Sequence, residues 1–195
     1  MDPIFVEAVQ QILDWRVQAE AAGVPEPFAA SLATVSPEGW PAVRVVLVKQ
    51  VDARGFAFYT NRGSTKGRDL QATPRAALAL FWPQLGRQVR AEGAVEPVSD
   101  AESDAYFADR PRLSQLGAWA SEQSRPLSSR ELLEARVAEV AARFEGGPVP
   151  RPPHWGGYRL VPRRLELWQA GTGRLHERVE VVSEPNGWTR RLLNP

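Results

Sequence analysis

Eight short segments of the chain are rich in aliphatic, β-branched and aromatic residues, and several of them alternate apolar and polar residues with a period of two, as expected for strands with one buried face. Turn-like sequences such as SPEG and DARG separate several of these segments. The predicted strands lie at 28–36, 40–51, 55–61, 75–83, 87–98, 157–169, 174–182 and 187–193. The pattern therefore predicts seven or eight strands, most of them joined by hairpins.

Helical signals occupy the segments between these strands. Asp2 and Pro3 suit the start of a helix over residues 3–22, and Gly23 suits its C-terminal cap. Ser64 is placed to cap a short helix in the sequence STKGRDLQATP. The N-terminal half of the chain therefore combines one long helix and one short helix with its strands.

A second helical region separates the fifth and sixth predicted strands, at about 99–145. Ser99 with Glu102, and Ser128 with Glu131, have the spacing of capping boxes, each ahead of a run with helical apolar spacing. Together with the hairpin pattern, this insertion predicts a mainly β protein with helical decoration (α+β), built on an antiparallel barrel. Residues 1–195 are expected to form a single domain.

Composition narrows the possible functions. The 195 residues carry a formal net charge of +1, so any anion site must be local. The absence of cysteine excludes disulfides and thiol chemistry, and the two histidines are too far apart in sequence to suggest a metal site. No GxGxxG, GxxxxGK[ST] or GxSxG motif is present, and the near-neutral charge argues against nucleic acid. No apolar run suggests a membrane span, so a cytoplasmic protein is expected.

Two regions favour phosphate binding. The segment YTNRGSTKGR, residues 59–68, runs from a strand through a turn into a helix N-terminus, where Lys66 adds positive charge; a solvated, capped surface helix is the alternative. Tyr106 and Arg110, four residues apart on a predicted helix, could hold a second phosphate together with Ser114.

Two strands carry cations that need a partner. In RVVLVK, residues 44–49, Arg44 and Lys49 lie at the two ends of four aliphatic residues that are expected to be buried. Each of these cations is expected either to pair with an anion or to extend into solvent. In GRLHER, residues 173–178, an extended chain would place Arg174, His176 and Arg178 on one face.

In combination, the segments RVVLVK, FYTNRGSTKGRDL, RQVRAEG, YFADRPRLSQLGAWASEQS, WGGYRL and LELWQAGTGRLHER resemble the pyridoxine/pyridoxamine 5′-phosphate oxidase family in order and spacing. The resemblance extends from about Phe28 to the C-terminus. It implies an FMN-binding split β-barrel and a homodimer with FMN between the subunits. It also implies oxidation of pyridoxamine or pyridoxine 5′-phosphate to pyridoxal 5′-phosphate, with oxygen reduced to hydrogen peroxide.

The resemblance assigns roles to individual residues and implies no metal. It implies FMN contacts at Arg44, Val45, Val46, Leu47, Val48, Lys49, Tyr59, Thr60, Thr65, Lys66, Gln88, Gln123, Ser124, Trp168 and Arg178. It implies substrate contacts at Lys49, Tyr106, Arg110, Ser114, Arg174, Leu175 and His176, with Arg174 and His176 as the catalytic pair beside the pyridine ring.

The chain also departs from the family pattern. Thr65 stands where members often carry arginine, and the first helix begins where many members have an upstream segment that folds over the substrate. The first departure predicts weaker binding of the FMN phosphate, and the second predicts weaker closure over the substrate. Two alternatives stay open, namely a split-barrel oxidase of another ring such as a dihydrophenazine, and a flavin- or pyridoxal phosphate-binding protein without catalysis.

Overall fold

A computed structural model describes residues 2–195. All eight strands expected from the alternation are present, and their bounds differ from the expected ones mainly at the ends. They are β1 (Ala29–Val35), β2 (Pro41–Asp52), β3 (Gly55–Asn61), β4 (Arg75–Trp82), β5 (Arg87–Pro97), β6 (Trp155–Gln169), β7 (Glu177–Glu184) and β8 (Gly187–Leu192). The helices are α1 (Pro3–Ala21), α2 (Thr65–Ala72), α3 (Asp100–Ala108), α4 (Arg112–Ala120) and α5 (Arg130–Arg143).

The strands form one antiparallel sheet in the order β3-β2-β1-β4-β5-β6-β7-β8, and an additional β3–β6 pairing closes six of them into a barrel. Strand β6 is long enough to pair with two strands along the edge that faces away from β5. Its first half, from Trp155 to Leu160, pairs with β3, and its second half, from Arg164 to Gln169, pairs with β7. The predicted antiparallel split barrel with helical decoration is therefore confirmed.

Apolar side chains fill the barrel and the space beneath α1. Phe56, Phe58 and Leu160 are fully buried, and Ile12 of α1 packs into the same cluster. Asp2 links the two ends of the chain, because its carboxylate accepts hydrogen bonds from the backbone N–H groups of Ile4 and Trp188, both at 2.9 Å. The predicted N-cap thus also anchors the first helix to β8.

Three helices, rather than the two that were expected, occupy the segment 99–145. The capping box of Ser99 and Glu102 is confirmed. The second box is displaced by one residue, because Ser129 rather than Ser128 accepts from the N–H of Leu132. Between them, α4 begins directly after Pro111, whose fixed φ suits a helix start.

The connection between β6 and β7 is not extended as the alternation of GRLHER suggested. A 3-10 turn covers Thr172–Arg174, and both Gly173 and Arg174 have positive φ values, of 64° and 65°. Strand β7 begins only at Glu177. Arg174 and Arg178 therefore belong to a turn and a strand respectively, and the period-two argument does not place them on one face.

Among residues 2–195, no helix is both long and apolar enough to cross a membrane. In the same part of the chain, no group of three or more histidine, aspartate and glutamate side chains is placed to hold a metal ion.

Candidate functional site

A cavity of about 480 Å³ opens between strands β2 and β3 on one side and helices α3 and α4 on the other, and it is here called the main cavity because it contains most of the predicted ligand contacts. Its volume lies in the range of small-molecule sites. Its walls consist of Val45, Val46, Leu47, Lys49, Tyr59, Thr60, Asn61, Lys66, Tyr106, Arg110, Ser114, Gly117, Ala118, Ser121, Gln123 and Trp155. The two phosphate-binding regions expected from the sequence therefore meet in one space.

The predicted N-cap of α2, Ser64, is confirmed, because its side chain accepts from the N–H of Gly67. Lys66 lies two residues after Ser64, in the first turn of this helix. Its ammonium nitrogen Nζ is 3.0 Å from Thr60 Oγ1 and 3.4 Å from Gln123 Oε1. No carboxylate within residues 2–195 forms an ion pair with it. Burial, and secondarily the charge of Arg44, lowers the pKa of Lys66. A cation in this state is a good partner for an anion such as a phosphate.

Arg44 lies close enough to affect Lys66 but does not line the cavity. Its guanidinium donates to Thr34 Oγ1 at 2.6 Å and lies 3.5 Å from a carboxylate oxygen of Asp69, which is 2% exposed. The expectation that the cation of RVVLVK needs an anion is met here inside the protein. Arg44 is therefore already paired, in contrast to Lys66.

Arg110 is a second cation without a carboxylate partner among the described residues. Its guanidinium carbon lies 4.7 Å from the ring centre of Trp155 and 5.5 Å from that of Phe107. Nη1 is buried and has no hydrogen-bond partner in the structure. Burial lowers the pKa of Arg110, opposed by the charge interaction with Tyr106. The aromatic rings hold the guanidinium, and a ligand phosphate could satisfy the unpartnered nitrogen.

The chain between α3 and α4 brings Tyr106 and Ser114 to the same wall as Arg110. The prediction that Tyr106 and Arg110 share one helix is wrong, because α3 ends at Ala108. The side-chain amide of Gln115 donates to the carbonyls of Phe107 and Ala108, at 2.9 and 3.1 Å, and so fixes the start of α4 against the end of α3. The side chains of Tyr106, Arg110 and Ser114 are thus brought together by the bend between α3 and α4, and not by their spacing along one helix.

Tyr106 also forms part of an aromatic wall. Its ring stacks on Tyr59, with centres 4.1 Å apart and an angle of 19° between the planes. Burial raises the pKa of both tyrosines, so their phenols remain protonated at neutral pH. Each hydroxyl can therefore donate a hydrogen bond to an anionic ligand.

The cavity contains a majority of the predicted ligand contacts. Those that line it are Val45, Val46, Leu47, Lys49, Tyr59, Thr60, Lys66, Tyr106, Arg110, Ser114 and Gln123. At one position a lysine lies among hydroxyl and amide groups, and at another an arginine lies beside a tyrosine and a serine. These residues therefore fit a phosphorylated cofactor such as FMN beside a phosphorylated substrate.

Seven predicted FMN contacts lie outside the cavity, and four of them are isolated positions: Arg44, Val48, Thr65 and Ser124. Arg44 is paired with Asp69, and Val48 belongs to the barrel core with 1% exposure. Thr65 is exposed, and its hydroxyl accepts from Arg68 at 3.3 Å. Ser124 is exposed in a turn with a φ of 71°. The expected burial of all four aliphatic residues of RVVLVK is also wrong, because Val45 is 66% exposed.

The remaining six predicted residues form a separate group, here called the Trp168 cluster: Gln88, Trp168, Arg174, Leu175, His176 and Arg178. None of them lines the main cavity. Gln88, Trp168 and Arg178 are cross-strand neighbours on β5, β6 and β7, and the ring of His176 lies 4.6 Å from that of Trp168. His176 Nδ1 accepts from the N–H of Gly171 at 3.2 Å, so Nε2 carries the proton of the neutral ring.

Five lining residues were not predicted as contacts: Asn61, Gly117, Ala118, Ser121 and Trp155. Trp155 is the most informative, since it supports Arg110. Its position in the segment WGGYRL is a sequence signal, because paired glycines after a tryptophan allow close approach of other groups. A side chain on Gly156 would collide with the guanidinium of Arg62, and one on Gly157 with the ring of Tyr59.

Comparison with known proteins identifies the family. Residues 17–144 match the family described as pyridoxamine 5′-phosphate oxidase, and residues 155–195 match the pyridoxine 5′-phosphate oxidase C-terminal dimerisation region. The chain belongs to the pyridoxamine 5′-phosphate oxidase family. Members of this family are oxidoreductases of vitamin B6 biosynthesis, and their cofactor is FMN.

Individual members of the pyridoxamine 5′-phosphate oxidase family are similar over most of their length. A pyridoxine/pyridoxamine 5′-phosphate oxidase of Alkalilimnicola ehrlichii is 60% identical over 178 residues, which cover 91% of each chain. One of Rubrobacter xylanophilus is 54% identical and covers 97% of this chain and 87% of its own.

A solved structure shows the same fold. PhzG from Burkholderia lata, in complex with tetrahydrophenazine-1-carboxylic acid, superposes with a TM-score of 0.92 at 35% identity and covers 100% of this chain and 98% of its own.

Proposed function

We propose that the protein oxidises pyridoxamine 5′-phosphate or pyridoxine 5′-phosphate to pyridoxal 5′-phosphate, with molecular oxygen as the electron acceptor and hydrogen peroxide as a product. The observation that carries the proposal is the presence of two partly buried cations without carboxylate partners among residues 2–195, Lys66 and Arg110, in a single cavity. Two phosphoesters held side by side would satisfy both. The names of the similar curated proteins support the same substrates.

The two cations divide the cavity into two phosphate positions. Lys66, with Thr60 and Gln123 beside it, would hold the phosphate of FMN, and the aliphatic residues of β2 would lie against the rest of the cofactor. Arg110, Tyr106 and Ser114, with Lys49, would hold the phosphate of the substrate. FMN, when bound, supplies the capacity to accept two electrons from the substrate carbon and to pass them to oxygen.

The Trp168 cluster would reach the cavity from a second copy of the chain. The match of residues 155–195 to the dimerisation region supports this arrangement, since this segment contains Trp168, His176 and Arg178. Exposed apolar side chains on β2 and directly before it support it as well. Trp40, Val43 and Val45 are 75%, 68% and 66% exposed, which is typical of an uncovered interface.

In the dimer, Arg174 and His176 of one protomer would face the substrate ring bound by the other. With the proton on Nε2 and Nδ1 occupied by Gly171, His176 can donate a hydrogen bond to the substrate amine or alcohol. For the amine, water then completes the reaction, so that pyridoxamine 5′-phosphate, oxygen and water give pyridoxal 5′-phosphate, ammonia and hydrogen peroxide.

A second candidate is oxidation of a partly reduced phenazine, which the similarity to PhzG favours. The group of Arg110, Tyr106 and Ser114 argues against it, because a phenazine carboxylate has no phosphate to satisfy this side of the cavity.

Peroxide release under air distinguishes the candidates. The FMN-loaded protein is assayed with pyridoxamine 5′-phosphate, pyridoxine 5′-phosphate and a dihydrophenazine carboxylate. We expect peroxide with the two phosphorylated substrates and one pyridoxal 5′-phosphate formed per peroxide. Turnover of the dihydrophenazine alone would replace the proposal by the second candidate. No turnover of any of the three would favour a binding protein without catalysis.

A further inference from the structure

Two adjacent rows of side chains cross the same face of the sheet formed by β5–β8. The upper row consists of Gln88, Trp168 and Arg178, which belong to the Trp168 cluster. Two residues further along each strand, and therefore on the same face, lies a charged row. It consists of Arg90, Glu166, Glu180 and Arg191, each the cross-strand partner of the next.

The charged row places two carboxylates directly opposite each other. Glu166 is 5% exposed and Glu180 is fully buried. Like charges in this position destabilise a sheet, and buried carboxylates require close compensation. Each carboxylate therefore has two arginines: Glu180 contacts Arg164 and Arg191, whereas Glu166 contacts Arg90 at 3.0 Å and Arg178 at 2.8 Å.

The two carboxylates differ in what they hold. The partners of Glu180, Arg164 and Arg191, are not among the predicted ligand contacts. Glu166 instead connects the charged row to the upper row, because its Oε1 accepts from Nε of Arg178. Nη1 of Arg178 donates to the carbonyl of Asn194 at 3.0 Å, which leaves Nη2 as the free side of the fork. Two fixed contacts thus determine the direction in which this guanidinium faces a ligand.

We propose that Glu166 is a positioning residue for FMN, whose buried carboxylate fixes the Arg178 guanidinium in the orientation that contacts the cofactor. This inference rests on the proposed function, in which Arg178 of one protomer reaches FMN held by the other. Glu166 itself does not touch the cofactor and acts only through Arg178. Substitution by glutamine keeps the size of the side chain and one acceptor oxygen but removes the charge that holds the arginine.

The reduction potential of bound FMN separates positioning from a simple charge effect. Arg178 beside the flavin would stabilise the negative charge that develops on reduction. If Glu166 acted only through its own charge, Glu166→Gln would make the site more positive and raise the potential. If Glu166 positions Arg178, the variant loses the oriented guanidinium, and the potential falls in the same direction as in Arg178→Gln.

The experiment compares Glu166→Gln, Glu180→Gln, Arg178→Gln and the double variant Glu166→Gln/Arg178→Gln in the full chain. FMN affinity is measured by fluorescence titration, the potential by equilibration with redox dyes, and stability by thermal unfolding. We expect Glu166→Gln to weaken FMN binding about tenfold, as for loss of a charge-assisted hydrogen bond. Glu180→Gln should lose comparable stability yet bind FMN like the wild type, and the double variant should bind no more weakly than Arg178→Gln.

Several results would overturn the inference. Equal weakening by Glu166→Gln and Glu180→Gln would mean that both act through the integrity of the sheet. Wild-type affinity in Glu166→Gln, with weak binding in Arg178→Gln, would refute positioning while leaving the proposed function intact. Wild-type affinity in Arg178→Gln would contradict the placement of Arg178 at FMN and this inference with it, whereas the proposed oxidation is decided by the peroxide assay. If Glu180→Gln does not fold, Arg90→Gln is the control, since it removes the other partner of Glu166.

Discussion

In the main cavity, Lys66 and Arg110 are partly buried and have no carboxylate partner among residues 2–195, whereas both arginines of the charged row contact a buried glutamate. The two regions lie in the same small protein and use the same types of side chain. They differ in whether the protein itself neutralises the charge. Arg44, next to the cavity but bound to Asp69, belongs with the charged row in this respect.

This difference separates ligand-binding cations from structural ones. Removing a cation from water costs free energy, which a carboxylate can offset within the fold. Where no carboxylate is present, the cost remains until an anion binds, so the ligand gains the full interaction. An unpaired, desolvated arginine or lysine should therefore affect binding strongly and stability weakly, and a paired one that faces no ligand should do the reverse.

Arg110→Ala tests the unpaired side of the comparison and should give the largest effect. Loss of a charge-assisted contact to the substrate phosphate should raise the KM for pyridoxamine 5′-phosphate about 100-fold. FMN affinity should stay at the wild-type level. The free energy of unfolding should fall by less than about 1 kcal/mol, because the guanidinium loses its contacts with the rings of Trp155 and Phe107 but no ion pair. Steady-state peroxide assays and denaturant titration measure the two quantities.

Arg112→Ala is the matched control for this variant, since Arg112 donates to the carbonyls of Gly147 and Phe144 rather than into the cavity. A KM equally raised in both variants would contradict the assignment of Arg110.

Arg159→Met tests the paired side. Arg159 is 3% exposed and lies 3.4 Å from Asp52 and 3.0 Å from Glu102. Its loss should reduce the free energy of unfolding by about 2 kcal/mol, since its partners are partly exposed and also contact Arg54. The KM should remain close to that of the wild type. A large change in the KM for pyridoxamine 5′-phosphate with an unchanged free energy of unfolding would contradict the comparison between paired and unpaired cations.

The pH dependence of FMN binding should show the smallest effect. Because burial and Arg44 lower the pKa of Lys66 from 10.5, the folded protein without ligand releases this proton before the unfolded chain does. Between the lowered pKa and 10.5, the unfolded state binds more protons, so Lys66 makes stability rise with pH in this window. FMN affinity should fall over the same window, by at most about tenfold per pH unit, because the phosphate needs the ammonium form.

Fluorescence titrations of FMN from neutral to alkaline pH measure this dependence. Lys66→Arg is the control, because a guanidinium keeps its charge throughout this range. Parallel pH curves for the wild type and the variant would show that another group is responsible.

The sequence predicted the strands and helix starts well, because these depend on local patterns. Alternation located β1 to β8, and Asp2, Ser64 and Ser99 cap helices as expected. Local patterns failed where the backbone leaves regular structure. Arg174 adopts a left-handed conformation that favours glycine, and nothing in its side chain indicates this.

The cavity could be predicted only in part, because its closure depends on pairing between distant residues. Trp155 becomes a neighbour of Arg110 only because α3 packs against β6, and the pairing of β3 with β6, with Asn61 opposite Trp155, adds the neighbouring wall. The absence of a partner for Arg110 and the pairing of Arg44 with Asp69 likewise follow from the fold. The two groups of residues that are expected to bind phosphate could be predicted from the sequence, and their proximity follows from the structure.

The dual pairing of β6 affects how the chain can be divided. Residues 155–195 match a separately described C-terminal region, yet that region begins with the half-strand that closes the barrel against β3. Deleting it would open the barrel and expose the β3 edge, and exchanging it with that of a relative would replace the strand that closes the barrel. The C-terminal segment is therefore an integral part of the folding unit rather than a transferable module.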